Sequence, residues 1–248
     1  MAERSTMSRR RFIKNTSYAA GGAIGGGFIG TLIGRNLLDD NQEVKKDSKT
    51  ESLPDFNHAL MHFTNQKEFQ LLSAATERIF PEDDNGPGAI KLGVPFFIDH
   101  QLAGSYGHND REYMRGPFFP GSDFQGYQTR LKRHEVFDVG IKAIEKESNK
   151  EFDAAFVDLE GKQQDQILQK FQDGDVKLKG VTATTFFELL RSATLEGAYS
   201  DPLYGGNGNM KGWMMKEFPG NYMSYLNEIG KEEFIKKEPR ALRAHIKS

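Results

Sequence analysis

The chain has 248 residues, 37% of them hydrophobic and 11% aromatic, which is enough to bury a substantial core and too polar for a protein of several membrane spans. It contains no cysteine, which excludes iron–sulfur clusters, c-type haem attached through C-x-x-C-H, thiolate zinc sites, disulfides and a lipoprotein anchor on this polypeptide. Residues 1–35 hold six Lys/Arg and one Glu, so the remainder carries 27 basic and 34 acidic residues, a net charge near minus seven; without a basic stripe, such a body does not suit nucleic acid.

The chain opens on an address. Ser8-Arg9-Arg10-Arg11-Phe12-Ile13-Lys14 fits the twin-arginine pattern, with Arg9, Arg10 and Phe12 as its defining residues, and it precedes an uncharged stretch from Asn15 to Gly34. That stretch has 20 residues, seven of them Gly, so it partitions weakly into a bilayer, as the twin-arginine translocon prefers. Residues 1–34 are therefore read as a twin-arginine signal, either removed or retained as an N-terminal anchor. The expected destination is the periplasm or the outer face of the cytoplasmic membrane. Export in the folded state suits a protein that carries a cofactor or travels with one that does, and no cofactor motif is visible on this chain.

Residues 35–57 are dominated by charged and polar side chains and are expected to form a flexible linker to a domain spanning 58–248. Asn65 with Glu68 makes a capping-box-like helix start, after which Phe69, Leu72, Ala75 and Ile79 recur at helical spacing until Pro81. A polar turn at 81–88 leads to a second helix with Pro95 in its first position and Phe96, Phe97, Ile98 and Leu102 before Gly104. Residues 104–127 mix Gly, Pro and aromatics irregularly and read as a loop pinned by buried rings. Helical patterns resume over Leu131–Ile144, Lys162–Phe171 and Thr182–Tyr199, and no stretch alternates with period two. The expected fold is mainly α, a multi-helix domain with long ordered loops.

Three groups of side chains invite a chemical reading. Gly205-Gly206-Asn207-Gly208-Asn209-Met210-Lys211-Gly212 is rich in glycine, but it fits neither G-x-G-x-x-G nor G-x-x-x-x-G-K-[ST] and follows a helix instead of a strand. It reads better as a tight loop in which Gly and Asn take positive φ, anchored by Tyr199, Tyr204, Trp213 and Phe218. His58 and His62 stand four apart and would share one face of a helix, but no glutamate follows His58 and no third ligand is apparent, so a packing pair is favoured over a metal site. Asp99-His100 and His108 near Asp110 read as adjacent titratable groups of a kind common on loops, with no nucleophile awaiting a base and no G-x-S-x-G elbow.

Two segments carry a resemblance. Residues Leu72 to Pro81, leading through Pro87-Gly88-Ala89 to Gly93-Val94 and Phe97-Ile98-Asp99, resemble the first block of the gluconate 2-dehydrogenase subunit 3 family. Phe186-Phe187-Glu188-Leu189-Leu190-Arg191, Thr194-Leu195-Glu196-Gly197, Ser200-Asp201-Pro202, Tyr204-Gly205-Gly206-Asn207, Gly212-Trp213 and Phe218-Pro219-Gly220 resemble its C-terminal signature. The resemblance implies a small subunit that partners a larger FAD-dependent flavoprotein of the glucose-methanol-choline type, often with a cytochrome c subunit. It also implies that the small subunit supplies the export signal and helps the flavoprotein assemble. No cofactor is expected on this chain: FAD would sit on the partner and haem c on a third subunit. No catalytic residue transfers.

On this footing Tyr199, Asp201, Pro202, Tyr204, Gly205, Gly206, Asn207, Trp213, Phe218 and Pro219 are read as a partner interface, the alternative being that the same rings face the chain's own core. The competing functional readings are an independent exported enzyme, hydrolase-like and using a His and carboxylate cluster, and a solitary membrane-tethered binding protein.

Overall fold

The structure, a computed structural model, describes residues 58–119, 121–122, 125 and 127–246; the export-signal residues Arg9, Arg10 and Phe12 and the linker 35–57 lie outside them. Five helices of ten residues or more carry the fold: α1 (Gln66–Ile79), α2 (Val94–Ala103), α3 (Arg133–Phe152), α4 (Gly161–Asp173) and α5 (Ala183–Tyr199). Two short ones follow, α6 (Lys211–Met215) and α7 (Arg243–Ile246), and there is no β-strand among the described residues.

Local chemistry sets the helix ends. The Asn65 side chain accepts a hydrogen bond from the Lys67 N–H at 3.0 Å, and α1 stops at Ile79, ahead of Pro81. Pro95 occupies the second helical position, behind Val94, instead of the first; both positions lack an intrahelical acceptor for their N–H, so proline is tolerated at either. At the start of α3 the Lys132 N–H donates to the Glu135 carboxylate at 2.8 Å, and at α4 the Glu160 N–H donates to the Gln163 amide oxygen at 3.0 Å. Thr182 caps α5 by accepting from the Thr185 N–H at 3.1 Å.

Helix α5 runs through the middle of the assembly and touches α1, α2, α3, α4 and α6. Its buried residues, Ala183, Phe186, Phe187, Leu190, Ala193, Thr194, Gly197 and Ala198, recur every three to four positions and form one continuous stripe. Phe186 meets Phe137 of α3 and Phe171 of α4 edge to face, with ring centroids 5.8 and 5.7 Å apart. Gly140 makes the α3 contact possible, because a Cβ there would lie 2.3 Å from the Phe186 ring. Arg78 ties α1 to α4 through two 2.8 Å bonds to the Asp165 carboxylate, which raises the guanidinium pKa.

The expectation that buried rings pin the 104–127 loop holds only at its two ends: Tyr106 and Tyr127 are half-buried, whereas Tyr113, Phe118 and Phe119 are exposed. Arg133 lies between the rings of Tyr106 and Tyr127, at 4.5 and 4.9 Å, and pairs with Glu112 at 2.7 Å. Burial pushes the Tyr127 hydroxyl up to about 12, and that hydroxyl donates to the Leu131 carbonyl.

Candidate functional site

The C-terminal signature begins where α5 ends. Tyr199, its last residue, packs edge-on against Phe80 at 5.8 Å and carries the Lys216 ammonium over its ring at 5.4 Å. Asp201 caps the 3-10 turn Pro202–Tyr204 by accepting from the Leu203 N–H at 2.9 Å, and its second oxygen accepts from the Leu242 N–H at 2.8 Å. One carboxylate thus fixes both the turn and a strand of chain 41 residues away.

Beyond the turn the backbone enters the left-handed region at Gly205 (φ 92°), Asn207 (49°), Asn209 (54°) and Met210 (59°). The Gly and Asn positions match the expectation for a tight loop; Met210 was not foreseen, since methionine carries no turn signal. Asn207 is fully buried: its amide donates to the Ser200 carbonyl at 2.8 Å and its oxygen accepts from the Gly212 N–H at 2.7 Å. Gly206 is buried too, and a Cβ there would lie 2.2 Å from the Gly197 carbonyl, so the loop rides directly on the α5 backbone. Trp213 is buried, donates its indole N–H to the Tyr199 carbonyl at 2.7 Å and meets Phe218 edge to face at 5.3 Å.

The residues read as a partner interface therefore divide. Gly206, Asn207 and Trp213 are buried within this chain; Tyr199, Asp201, Pro202, Gly205 and Pro219 are half-buried; Tyr204 and Phe218 are exposed, at 51% and 48%. Two shallow clefts open on either side of Tyr199. One, of about 470 Å³, is lined by Tyr199, Trp213, Lys216, Glu217, Phe218 and Pro219; the other, of about 500 Å³, by Phe97, Gln101, Glu196, Tyr199, Ser200, Asp201 and Tyr204.

Past Gly220 the chain closes a long loop on itself. The Asn221 N–H donates to the Arg240 carbonyl at 2.6 Å, the Arg240 N–H to Pro219 at 3.1 Å, and the Tyr222 hydroxyl to Glu238 at 2.8 Å. Lys237 sits over Tyr222 and Tyr225, at 4.3 and 4.7 Å, and pairs with Glu228 at 3.0 Å. Between these ties Met223, Leu226, Ile229 and Phe234 stand exposed, Phe234 at 95%. Exposed apolar side chains grouped in this way mark interaction surfaces more often than isolated ones do.

The titratable pairs fall elsewhere and are structural. His58 and His62 do not share a helix, so the spacing that would have aligned them does not apply: His58 packs on Phe96 at 4.8 Å, while His62 pairs with Asp138 at 2.9 Å. Asp99 and His100 lie on α2, inside the helix expected after Pro95. Asp99 is fully buried, and its carboxylate accepts the N–H groups of Met61, His62 and Phe63 at 2.6, 3.1 and 2.8 Å, while the His100 imidazole meets the Ala59 carbonyl at 2.7 Å. Together they clamp the segment that leads into α1. His108 is exposed and its ring lies 4.5 Å from that of His134; the Asp110 N–H donates to Ser105. Among the described residues no group of three His, Asp or Glu is placed to hold a metal ion, and no helix is long and apolar enough to cross a membrane.

Comparison with curated proteins and with solved structures finds no match. A family model, described as Gluconate 2-dehydrogenase subunit 3, matches residues 66–220, from the first turn of α1 to the glycine that closes the C-terminal signature. This chain belongs to the gluconate 2-dehydrogenase subunit 3 family.

Proposed function

We propose that this protein is the non-catalytic small subunit of an exported, flavin-dependent sugar or polyol dehydrogenase, supplying the export signal and assisting assembly of the catalytic subunit. The family itself implies association with other subunits of a gluconate dehydrogenase complex. The observation that carries the finer reading is the surface around and beyond the C-terminal signature. There a tightly bonded scaffold holds Tyr204, Phe218, Met223, Leu226, Ile229 and Phe234 out toward solvent. Large side chains on a fixed backbone lose little entropy when a partner covers them, which is how interface anchors work.

In this reading the partner is a large FAD-dependent dehydrogenase of the glucose-methanol-choline type, with haem c on a third subunit where the complex has one. The twin-arginine residues Arg9, Arg10 and Phe12 carry the assembly across the membrane, to the periplasm or the outer membrane face. Purifying the tagged full-length chain from membranes and recording an absorption spectrum tests the partner. A co-purifying flavin spectrum supports the assignment, whereas recovery of this chain alone, without flavin, refutes it. Changing Arg9 and Arg10 to Lys should retain both proteins in the cytoplasm.

A further inference from the structure

The cleft between the end of α5 and the Pro202–Tyr204 turn contains a carboxylate with no hydrogen-bond or ion-pair partner among the described residues. That carboxylate is Glu196, whereas Glu77, Glu112 and Glu145 each have at least one partner. Glu77 accepts from the Glu82 and Ile90 N–H groups, Glu112 pairs with Arg133, and Glu145 accepts from the Phe156 N–H. Asp201 lines the same cleft, but each of its oxygens already accepts a backbone N–H, from Leu203 and from Leu242. Glu196 is exposed, yet burial beside its neighbours raises its carboxyl pKa against the opposing pull of Arg133. Three aromatic residues line the cleft as well: Tyr204 is exposed, Tyr199 is half-buried with Lys216 over its ring, and Phe97 is buried at the base.

An open carboxylate among aromatic rings suits one chemical group above others. A guanidinium is planar, stacks on ring faces and pairs with a carboxylate through two parallel N–H bonds, while an ammonium does neither as well. The chain already builds the filled version of this arrangement: Arg133 lies between Tyr106 and Tyr127 with Glu112 as its counter-charge, 2.7 Å away. The cleft beside Tyr204 has rings and a carboxylate that feels Arg133 at a distance but has no cation in contact with it.

We propose that this cleft receives an arginine side chain of the partner subunit, stacked on the exposed Tyr204 ring and paired with Glu196. The inference rests on the accessory-subunit reading and adds to it the chemistry of one contact. It is tested on the full-length, tagged chain purified with its partner from membranes. A photo-reactive benzoylphenylalanine at Leu203, whose side chain is exposed beside the cleft, should cross-link to a partner peptide containing arginine.

Charge removal and reversal then read the contact. Glu196→Gln should lower partner affinity about tenfold and Glu196→Arg about a hundredfold or more, in the range seen for close interfacial charge pairs. Replacing the cross-linked arginine of the partner by glutamate should restore binding to the Glu196→Arg chain. An unchanged circular dichroism melt of Glu196→Gln confirms that the loss is one of contact. A cross-linked peptide without arginine, or affinity within twofold of the parent in both variants, overturns the inference and leaves the accessory-subunit reading standing. Recovery of no partner by the unaltered chain defeats that reading and the inference with it. A partner without flavin that still shows the charge rescue defeats only the assignment to a flavoprotein.

Discussion

Between Gln66 and Tyr199 the chain buries most of its large apolar side chains against one another, whereas between Asp201 and Ile246 it leaves most of them in contact with water. The helical body is held by side-chain packing around Phe137, Phe156, Phe171 and Phe186, all fully buried. The C-terminal segment is held instead by a few directed bonds, from Asn207 to Ser200 and Gly212, from Asp201 to Leu203 and Leu242, and from Asn221 and Arg240 across a loop neck. Packing yields a stability that grows with buried area, while directed bonds fix a shape without covering its apolar faces. The first suits a scaffold, and the second leaves apolar faces uncovered, as the proposed partner surface requires.

The contrast can be broken most forcefully in the body. Phe186→Ala should cost about 4 kcal/mol, since it opens a cavity among three helices, and chemical denaturation would show the loss as a lower midpoint with an unchanged slope. Asp99→Ala should cost about 3 kcal/mol by stranding three backbone donors. Its signature would be faster amide exchange at Met61, His62 and Phe63, with α5 unaffected.

In the C-terminal segment the same logic predicts smaller and more local effects. Asn207→Ala should cost about 2 kcal/mol, from two lost bonds. Because Trp213 is the chain's single tryptophan and sits on this loop, the change should appear as a red-shifted fluorescence maximum. Phe234→Ser should alter stability by less than about 0.5 kcal/mol, as its side chain touches little, yet weaken recovery of the partner. Equal loss of stability and partner would place Phe234 in the fold and erase the contrast there.

The smallest effect concerns pH. Tyr127 keeps its proton up to about 12 in the folded chain, against an ordinary value of 10.0, so the folded state binds that proton more tightly than the unfolded one. The resulting stability is complete below pH 10 and is lost as pH rises toward 12. Tyr127→Phe should flatten the alkaline limb of the stability curve in that window, with little change at pH 7 beyond the loss of one hydrogen bond to Leu131.

Legibility in the sequence follows the same division. Where burial is periodic the helices could be read from spacing alone: Asn65 and Pro81 bound α1, and Thr182 starts α5 where expected. Helix α3 runs to Phe152, two turns past the expected end at Ile144, because residues 145–150 are mostly charged and their one buried member, Ser148, is polar. The role of Asp99 was invisible, since its three donors lie 36 to 38 residues away and no local pattern announces a buried carboxylate. In the candidate site, the glycines and asparagines announce a left-handed loop, but only the folded chain separates buried Trp213 from exposed Tyr204 and Phe218. The open carboxylate of Glu196 looked in sequence like any polar residue on a helix.

The double use of Asp201 has a kinetic corollary. Its second bond waits for Leu242, 41 residues further along the chain, and at typical translation speeds that interval is roughly 2–8 s. The helical body can thus collapse while the ribosome is still working, but the corner that frames the Tyr204 cleft locks only afterwards. A nascent molecule would therefore complete its helical body before the Tyr204 corner takes its final shape.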